Sequence, residues 1–178
     1  MKASQLAGAA ALAAWLAAGN AWADGHYTPG VEGLQGASVP GPGARIVVDD
    51  TLTALGRLAA FWRQRLANVR LIAVTGSNGK TTVKEMIAAI LAEYAGADAV
   101  HATRGNLNNH IGLPLTLLAM RQQHKFVVAE MGMNHFGEIA NLTRIATPDV
   151  AVITNAGCAH LEMLGSVEGV ARAKGEIF

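Results

Sequence analysis

The chain has few of the features that mark several large classes of protein. Cys158 is its single cysteine, so no internal disulfide can form, which fits a reducing compartment. Its 14 basic and 13 acidic residues leave a net charge of +1 without a basic cluster, so the electrostatic signature of a nucleic-acid-binding protein is missing. The apolar run from Leu6 to Ala18 is too short to span a bilayer as a helix. We therefore expect neither a nucleic-acid partner nor stable insertion into a membrane.

The most specific motif in the chain joins a short strand to the start of a helix. Residues Leu71 to Thr75 are apolar or β-branched, and Gly76 to Gly79 form a tight loop after them. Such a loop offers backbone N–H groups and the positive end of a helix to a phosphate, while Lys80 adds a mobile charge and the Thr81 hydroxyl can bind Mg²⁺. We therefore predict an ATP-binding loop. Its predicted residues are Gly76, Ser77, Asn78, Gly79, Lys80, Thr81 and Thr82.

Apolar runs alternate with helical patterns along the rest of the chain. The predicted strands are 45–48, 71–75, 100–103, 126–129 and 150–154, and the predicted helices are 52–66, 80–95, 114–120, 137–146 and 166–178. This alternation indicates an α/β fold, a parallel sheet of the P-loop type with helices on both faces. In the helix after the phosphate loop, helical spacing predicts one buried face, formed by Val83, Met86, Ile87, Ile90, Leu91 and Tyr94.

Three polar residues fall at the carboxyl ends of predicted strands: Thr75, Glu130 and Asn155. Ligands of parallel sheets bind beyond this edge, so we expect the three residues to lie around one phosphate. An acidic residue directly after a buried strand is where phosphate-loop enzymes place the carboxylate that holds Mg²⁺. Glu130 is therefore a predicted metal ligand, with a solvated surface carboxylate as the alternative.

Several stretches of the chain resemble successive motifs of the Mur ligases. The loop Thr75–Thr82 is similar to the nucleotide loop of that family and of its folylpolyglutamate synthetase relatives, and Val74 stands where the usual Walker pattern has its first glycine. The resemblance runs from about Ile46 to Phe178. It is strongest to the branch that joins D-alanyl-D-alanine to a UDP-linked tripeptide. The other matching motifs are Gly105–Thr116, Glu130–Ile139, Thr154–Glu162 and Ala173–Ile177.

The resemblance implies an ATP-dependent amide ligase of peptidoglycan precursor synthesis. In such an enzyme ATP phosphorylates the terminal carboxylate of UDP-N-acetylmuramoyl-tripeptide to an acyl phosphate, which the D-alanyl-D-alanine amine attacks. The implied catalytic residues are Lys80, Glu130, His160 and Lys174. Two Mg²⁺ ions are implied, the first held by Thr81 and Glu130 and the second by His160 and Lys174, the latter as a carbamylated lysine. The implied substrate-binding residues are Asn106, Asn108, Asn109, Asn134 and His135.

The resemblance also suggests how the chain is divided. Residues 45–178 would be an ATP-binding central domain truncated on its carboxyl side, and 1–44 a divergent remnant of the UDP-binding domain. Two interpretations of the amino terminus stay open, because Leu6–Ala18 followed by Ala21–Ala23 has the form of a secretory signal peptide, and the same run also suits an Ala-rich helix. Residues 24–43 are rich in Gly and Pro, as in a linker. Because an ATP-dependent reaction has no ATP in a periplasm, we favour the cytoplasmic helix.

Two other functions stay open. One is a different amide ligase, either another Mur ligase or a folylpolyglutamate synthetase-like enzyme, although the loop 106–116 argues against both. The other is a non-catalytic nucleotide-binding fragment, which would be exported if the amino terminus is a signal peptide. Even if the chain belongs to a ligase that adds D-alanyl-D-alanine, we expect it to be inactive alone.

Overall fold

The computed structural model describes residues 48–178. The predicted amino-terminal segment, 1–44, lies outside the described residues, as does most of the strand candidate 45–48, whose last residue, Val48, is in no strand. Contacts divide the chain into two units, 1–54 and 55–178, and the sheet belongs to the second. In the described part of the chain, no helix has both the length and the apolar character needed to cross a membrane.

Within residues 48–178, strands alternate with helices as the sequence predicts. The strands are β1 (Arg70–Thr75), β2 (Val100–Ala102), β3 (Phe126–Glu130) and β4 (Val150–Ile153). The helices are α1 (Thr51–Arg65), α2 (Lys80–Ala95), α3 (Gly112–Leu118), α4 (Glu138–Ala146), α5 (Leu161–Leu164) and α6 (Val167–Gly175), with a 3₁₀ turn at Ala97–Ala99. All neighbouring strands are parallel, in the order β2-β3-β1-β4. The predicted α/β class is confirmed.

The strand order places β1 between β3 and β4. Val74 pairs with Glu130 on one side, and Thr75 pairs with Ile153 on the other. The loop that follows β1 therefore begins between the carboxyl ends of two neighbouring strands, where ligands of parallel sheets bind. Thr75, Glu130 and Asn155 all lie at this edge, as the sequence predicts.

One face of the sheet carries the hydrophobic core. Inward-facing strand residues such as Leu71 and Ala129 pack there with residues of α1, α3, α4 and α6, including the fully buried Leu117, Ile139 and Val170. Helix α2 contacts β1, β2 and β3 but contributes no residue to this core, so it lies on the opposite face. Helices thus cover both faces, with the larger share on one of them.

The predicted buried face of α2 is wrong for three of its six residues, since only Val83, Ile87 and Leu91 are half-buried. Met86, Ile90 and Tyr94 are 59%, 67% and 80% exposed, and the buried residue of this helix is Lys84. Apolar residues surround much of α2, so their spacing defines more than one stripe. The pattern alone cannot tell which stripe meets the sheet, because that depends on how the helix is rotated against the strands.

Three other expectations need correction. Strand β4 is not fully buried, since Val150 is 51% exposed on an edge strand without a described neighbour on its outer side.

Helix α3 begins at Gly112 and not at Pro114, because the Asn109 side chain accepts hydrogen bonds from the N–H groups of Ile111 and Gly112 and starts the turn earlier. The predicted last helix, 166–178, runs only from Val167, capped by Ser166, to Gly175, and the short α5 before it was not predicted.

An ion pair between a buried arginine and a half-buried aspartate ties α1 to the amino-terminal side of the sheet. The Arg63 side chain is 7% exposed, and its Nη2 lies 3.0 Å from Asp149 Oδ2. Asp149 also accepts from the N–H of Leu71 and from Arg70 Nη1, each at 2.8 Å. Burial alone would raise the pKa of Asp149, but the Leu71 N–H and the two guanidinium groups outweigh it and hold that pKa below its ordinary value. The carboxylate therefore stays charged and joins three segments of the fold.

Candidate functional site

The loop after β1 has the backbone that its glycines predict. Gly76 and Gly79 have φ values of 154° and 77°, in a region that side chains disfavour. A Cβ at Gly76 would also collide with the Thr154 hydroxyl, so this position accepts no larger residue without movement. Gly79 precedes α2 and leaves the first turn of that helix open to a ligand. The geometry is that of a phosphate-binding loop.

The phosphate loop is fastened to the end of β4. Ser77 N–H donates to Asn155 O at 3.0 Å, and Asn78 N–H donates to Asn155 Oδ1 at 3.1 Å. Two further bonds have their donors after β4 and their acceptor in the loop: the Thr154 hydroxyl and the Asn155 amide donate to Asn78 O at 2.6 and 3.0 Å. The sequence predicts Asn155 at this edge but gives no sign of these four bonds, because they join residues 76 to 78 positions apart and require the end of β4 to lie beside the loop.

Lys80 is folded back onto the loop. Its Nζ donates to Gly76 O at 2.8 Å and approaches Ser77 O at 3.5 Å. Neither partner carries a formal charge, so an anion that enters the loop offers this ammonium a stronger partner than it has now. The arrangement suits a lysine that turns toward phosphate when a nucleotide binds.

Glu130 lies beside the phosphate loop with both carboxylate oxygens hydrogen-bonded. The Thr81 hydroxyl donates to Oε2 and Asn108 Nδ2 donates to Oε1, each at 2.9 Å. Glu130 is 2% exposed, and its backbone N–H donates to the Thr103 hydroxyl. The predicted pair of Thr81 and Glu130 is thus brought together. Asn108, predicted to bind substrate, also contacts this carboxylate, which the sequence did not suggest.

Sequence reasoning missed Lys84, although it follows Lys80 by one helical turn. This lysine is 1% exposed, and its Nζ donates to Thr103 O at 2.7 Å and pairs with Glu85 at 2.7 Å. Thr103 in turn bonds to Glu130, so Lys84 connects the helix of the phosphate loop with the ends of β2 and β3. No local signal marks its burial, because a lysine on a helix is ordinarily exposed to solvent.

A cavity of about 710 Å³ opens beside the loop, and seven of the fifteen predicted site residues line it, without Thr81 and Glu130. The predicted residues that line it are Gly76, Lys80, Asn108, Asn109, Asn134, His160 and Lys174. His110, Phe136, Glu138 and Asn141 also line it and were not predicted. Residues from five separate motifs thus face one space, which is large enough for a small-molecule ligand.

Two predicted substrate residues lie apart from this cavity. His135 lines a smaller neighbouring cavity with Cys158 and His160, and its Nδ1 lies 3.1 Å from Glu138 Oε1. Asn106 is exposed and lines neither cavity. Among the described residues, no group of three or more His, Cys, Asp and Glu side chains is arranged to hold a metal. The predicted metal ligands are Thr81, Glu130, His160 and Lys174. They do not form such a group because two of them are a threonine and a modified lysine.

Lys174 is 2% exposed and faces the main cavity. Burial, and to a smaller extent the charge of Lys80, lower the pKa of Lys174 from 10.5 to about 8. The two lysines were predicted to share one site, and their electrostatic interaction supports that. About a tenth of the Lys174 side chains are therefore uncharged amines at neutral pH, far more than at the ordinary pKa.

We expect the Lys174 amine to react as a group that titrates near pH 8, because both its burial and Lys80 disfavour the ammonium form. Competitive labelling with acetic anhydride across the neutral and alkaline range, read by mass spectrometry, measures this, with exposed Lys125 as the reference for labelling efficiency. Replacing Lys80 by alanine should raise the pKa of Lys174. A profile centred at the ordinary value of 10.5 in the unmodified chain would contradict the expectation.

Comparison with known proteins agrees with this geometry. Residues 74–178, more than half of the chain, match the Mur ligase middle domain. The chain belongs to the Mur ligase family. The family prediction is thereby confirmed, and the phosphate loop, Glu130, His160 and Lys174 all lie within the matched residues.

Similar proteins narrow the likeness to one branch of the Mur ligases. The UDP-N-acetylmuramoyl-tripeptide–D-alanyl-D-alanine ligase of Bacillus subtilis is 52% identical over 164 residues, which cover 89% of this chain and 35% of that protein. A crystal structure of MurF from Acinetobacter baumannii is 48% identical with a TM-score of 0.70, covering 74% of this chain and 28% of that one. MurF from Thermotoga maritima, solved in complex with ADP, is 40% identical with a TM-score of 0.63, covering 74% and 30%.

This chain spans about a third of the length of the curated Mur ligases that it matches. The match to the Bacillus subtilis ligase covers 89% of the chain, which is more than residues 45–178 alone can provide. Part of the segment before residue 45 therefore also resembles that ligase. The predicted division of the chain at residue 45 stays a prediction.

Proposed function

We propose that the chain is the ATP-binding part of a peptide ligase of peptidoglycan precursor synthesis, which joins D-alanyl-D-alanine to UDP-N-acetylmuramoyl-tripeptide. One observation carries this proposal: a single cavity gathers Lys80, Asn134 and Lys174 from separate motifs. The similarity to ligases of that name supports the choice of substrates. Because the chain spans about a third of those enzymes, we expect it not to complete the reaction alone.

The phosphate loop performs the first step. ATP binds with its phosphates against the loop N–H groups and the amino-terminal end of α2, and Lys80 Nζ exchanges the Gly76 and Ser77 carbonyls for phosphate oxygens. Lys80 then stabilises the charge on the γ-phosphoryl group as it moves to the terminal carboxylate of the tripeptide. The products of this step are ADP and an acyl phosphate, and the D-alanyl-D-alanine amine displaces phosphate from the latter.

The surroundings of Glu130 fit a first Mg²⁺ ion. This buried carboxylate receives only uncharged donors, from Thr81 and Asn108, and none of the described ion pairs includes it. A buried carboxylate without a cationic partner favours a cation beside it. Thr81 and Glu130 would hold the ion through oxygen atoms. When bound, Mg²⁺ supplies positive charge that neutralises the phosphate oxygens.

His160 and Lys174 would hold a second Mg²⁺ ion if Lys174 is carbamylated. An ammonium has no lone pair to offer a metal, and carbamylation consumes the uncharged amine that a pKa of about 8 makes available. The adduct is an anion with carboxylate-like oxygens.

Binding of the UDP-linked tripeptide is assigned to Asn106, Asn108, Asn109, Asn134 and His135. Because the reaction needs ATP, we assign it to the cytoplasm.

A ligation assay tests the function. The longest form of the protein that its gene encodes is incubated with Mg-ATP and one pair of substrates at a time: UDP-N-acetylmuramoyl-tripeptide with D-alanyl-D-alanine, the corresponding UDP-linked dipeptide with a single amino acid, or a folate with glutamate. ADP release that depends on D-alanyl-D-alanine alone supports the proposal. Release with one of the other acceptors identifies a different amide ligase, and nucleotide binding without release under any condition identifies a non-catalytic protein.

We expect Glu130→Gln to weaken Mn²⁺ binding in the presence of ADP roughly tenfold or more, because the amide keeps the shape but loses the charge that a hard cation needs. Electron paramagnetic resonance of Mn²⁺ measures it in the 178-residue chain. The variant should bind ADP without metal as the unmodified chain does. Glu93→Gln, on the exposed side of α2, is the matched control. Equal Mn²⁺ affinity in both variants would return Glu130 to a structural role.

A further inference from the structure

Helix α6 holds the loop 131–137, which links β3 to α4, through two side chains on one side of the helix. Arg172 places its guanidinium carbon 4.7 Å from the centre of the Phe136 ring. Glu176 follows the helix and accepts hydrogen bonds from the Gly137 N–H at 2.9 and 3.0 Å and from the Ala140 N–H at 3.1 Å. Because the two residues are four positions apart, they extend toward the same neighbour.

The start of α4 lacks a cap of its own. Gly137 occupies the N-cap position with φ of 83° and has no side chain to accept the free N–H groups of the first turn. Glu176 supplies the missing acceptor from another part of the chain, and its negative charge also suits the positive end of the helix. Glu138 fastens the loop from within, through the N–H groups of Asn134 at 2.6 Å and His135 at 3.3 Å.

The loop and α6 form two walls of the same cavity. Met133, Asn134 and Phe136 line it from the loop, and Lys174 lines it from the helix. Lys174 lies between Arg172 and Glu176 in the sequence, so the two contacts bracket the lysine. A shift of the loop relative to the last turn of α6 would change the separation between Asn134 and Lys174.

We propose that Arg172 and Glu176 are positioning residues, which lock the loop 131–137 to the last turn of α6 and so fix Asn134 relative to Lys174. Their value for catalysis rests on the proposed function, since it assumes that the cavity binds the tripeptide carboxylate. The lock itself does not rest on it. Neither residue needs to touch a substrate.

Residue-resolved amide hydrogen exchange on the 178-residue chain tests the lock. The amides of Gly137 and Ala140 bond to Glu176, and that of Ile177 bonds to Lys174 O at the end of α6. If the two segments open together, these amides exchange at similar rates in the unmodified chain, and Glu176→Ala accelerates all of them roughly tenfold while β1 amides keep their protection. Glu176→Gln, which keeps one acceptor oxygen, should accelerate them less. Glu93→Gln is the control for loss of an exposed carboxylate.

A second variant keeps the test decisive if Glu176→Ala does not fold. Arg172→Ala should move the ¹⁹F resonance of fluorophenylalanine at position 136, assigned with Phe136→Leu, and should accelerate the same amides. Because both residues act on one loop, the effects of the double variant should be smaller than the sum. Unchanged exchange at Gly137 and Ala140 in both single variants overturns the proposal. Equal acceleration in β1 also overturns it, since that is general destabilisation.

The catalytic consequence is measured separately. In the ligation assay, Glu176→Ala should raise the KM for the UDP-linked tripeptide roughly tenfold, and Glu176→Gln should raise it less. Both should leave the KM for ATP within about twofold, because the phosphate loop is fastened to β4 and not to α6. Equal rises in both values would contradict a positioning role. If the unmodified enzyme performs no ligation, the proposed function fails, and the exchange experiment still decides whether the lock exists.

Discussion

Lys80→Ala is expected to lower the affinity of the chain for Mg-ATP by roughly 30- to 150-fold, because a charge-assisted hydrogen bond to phosphate contributes about 2–3 kcal/mol. The side chain now bonds only to carbonyls of its own loop, so its removal leaves the core intact. Isothermal titration calorimetry measures the affinity, and circular dichroism checks the fold. Lys125→Ala, which removes an exposed lysine outside the cavity, is the control. If both variants bind Mg-ATP equally, the loop is not the nucleotide site.

The second large effect concerns stability. Asp149→Ala should lower the free energy of unfolding by about 3–5 kcal/mol, because it leaves the buried Arg63 guanidinium without its counter-ion. The Leu71 N–H loses its acceptor as well. Chemical denaturation followed by circular dichroism measures the change. Asp98→Ala, at an exposed turn, is the matched control and should change stability little.

The same pair predicts a pH dependence. The pKa of Asp149 is lower in the folded chain than its ordinary value of 3.8, so the folded state favours the charged carboxylate. Its contribution is fully present above pH 3.8 and is lost as the pH falls through the lower folded value. The difference in stability between the unmodified chain and Asp149→Ala should therefore shrink only in strongly acidic solution. A difference that shrinks already near neutral pH would mean that another group is responsible.

Local sequence predicted the parts of this protein that depend on neighbouring residues. The strand Leu71–Thr75, the loop with two glycines and the helix from Lys80 follow one another as expected, because apolar spacing and glycine conformations act within a few positions. Glu130 lies at the end of β3 for the same reason. The family was also recognisable, since its motifs are short and contiguous.

The tertiary structure alone decided which residues meet across the sheet. Nothing within α2 shows that Lys84, and not Met86 or Ile90, is buried, because this depends on the Thr103 carbonyl at the end of β2. The bonds between Asn78 and Asn155 likewise require β4 to lie beside β1.

The cap that Glu176 places on α4 joins residues 39 positions apart. A side chain far along the chain supplies what Gly137 lacks, and no local pattern records that. The sequence by itself thus determined the phosphate loop, the α/β class and the family. Strand order and helix rotation decided the rest, because they bring together donors and acceptors whose partners cannot be read from spacing along the chain.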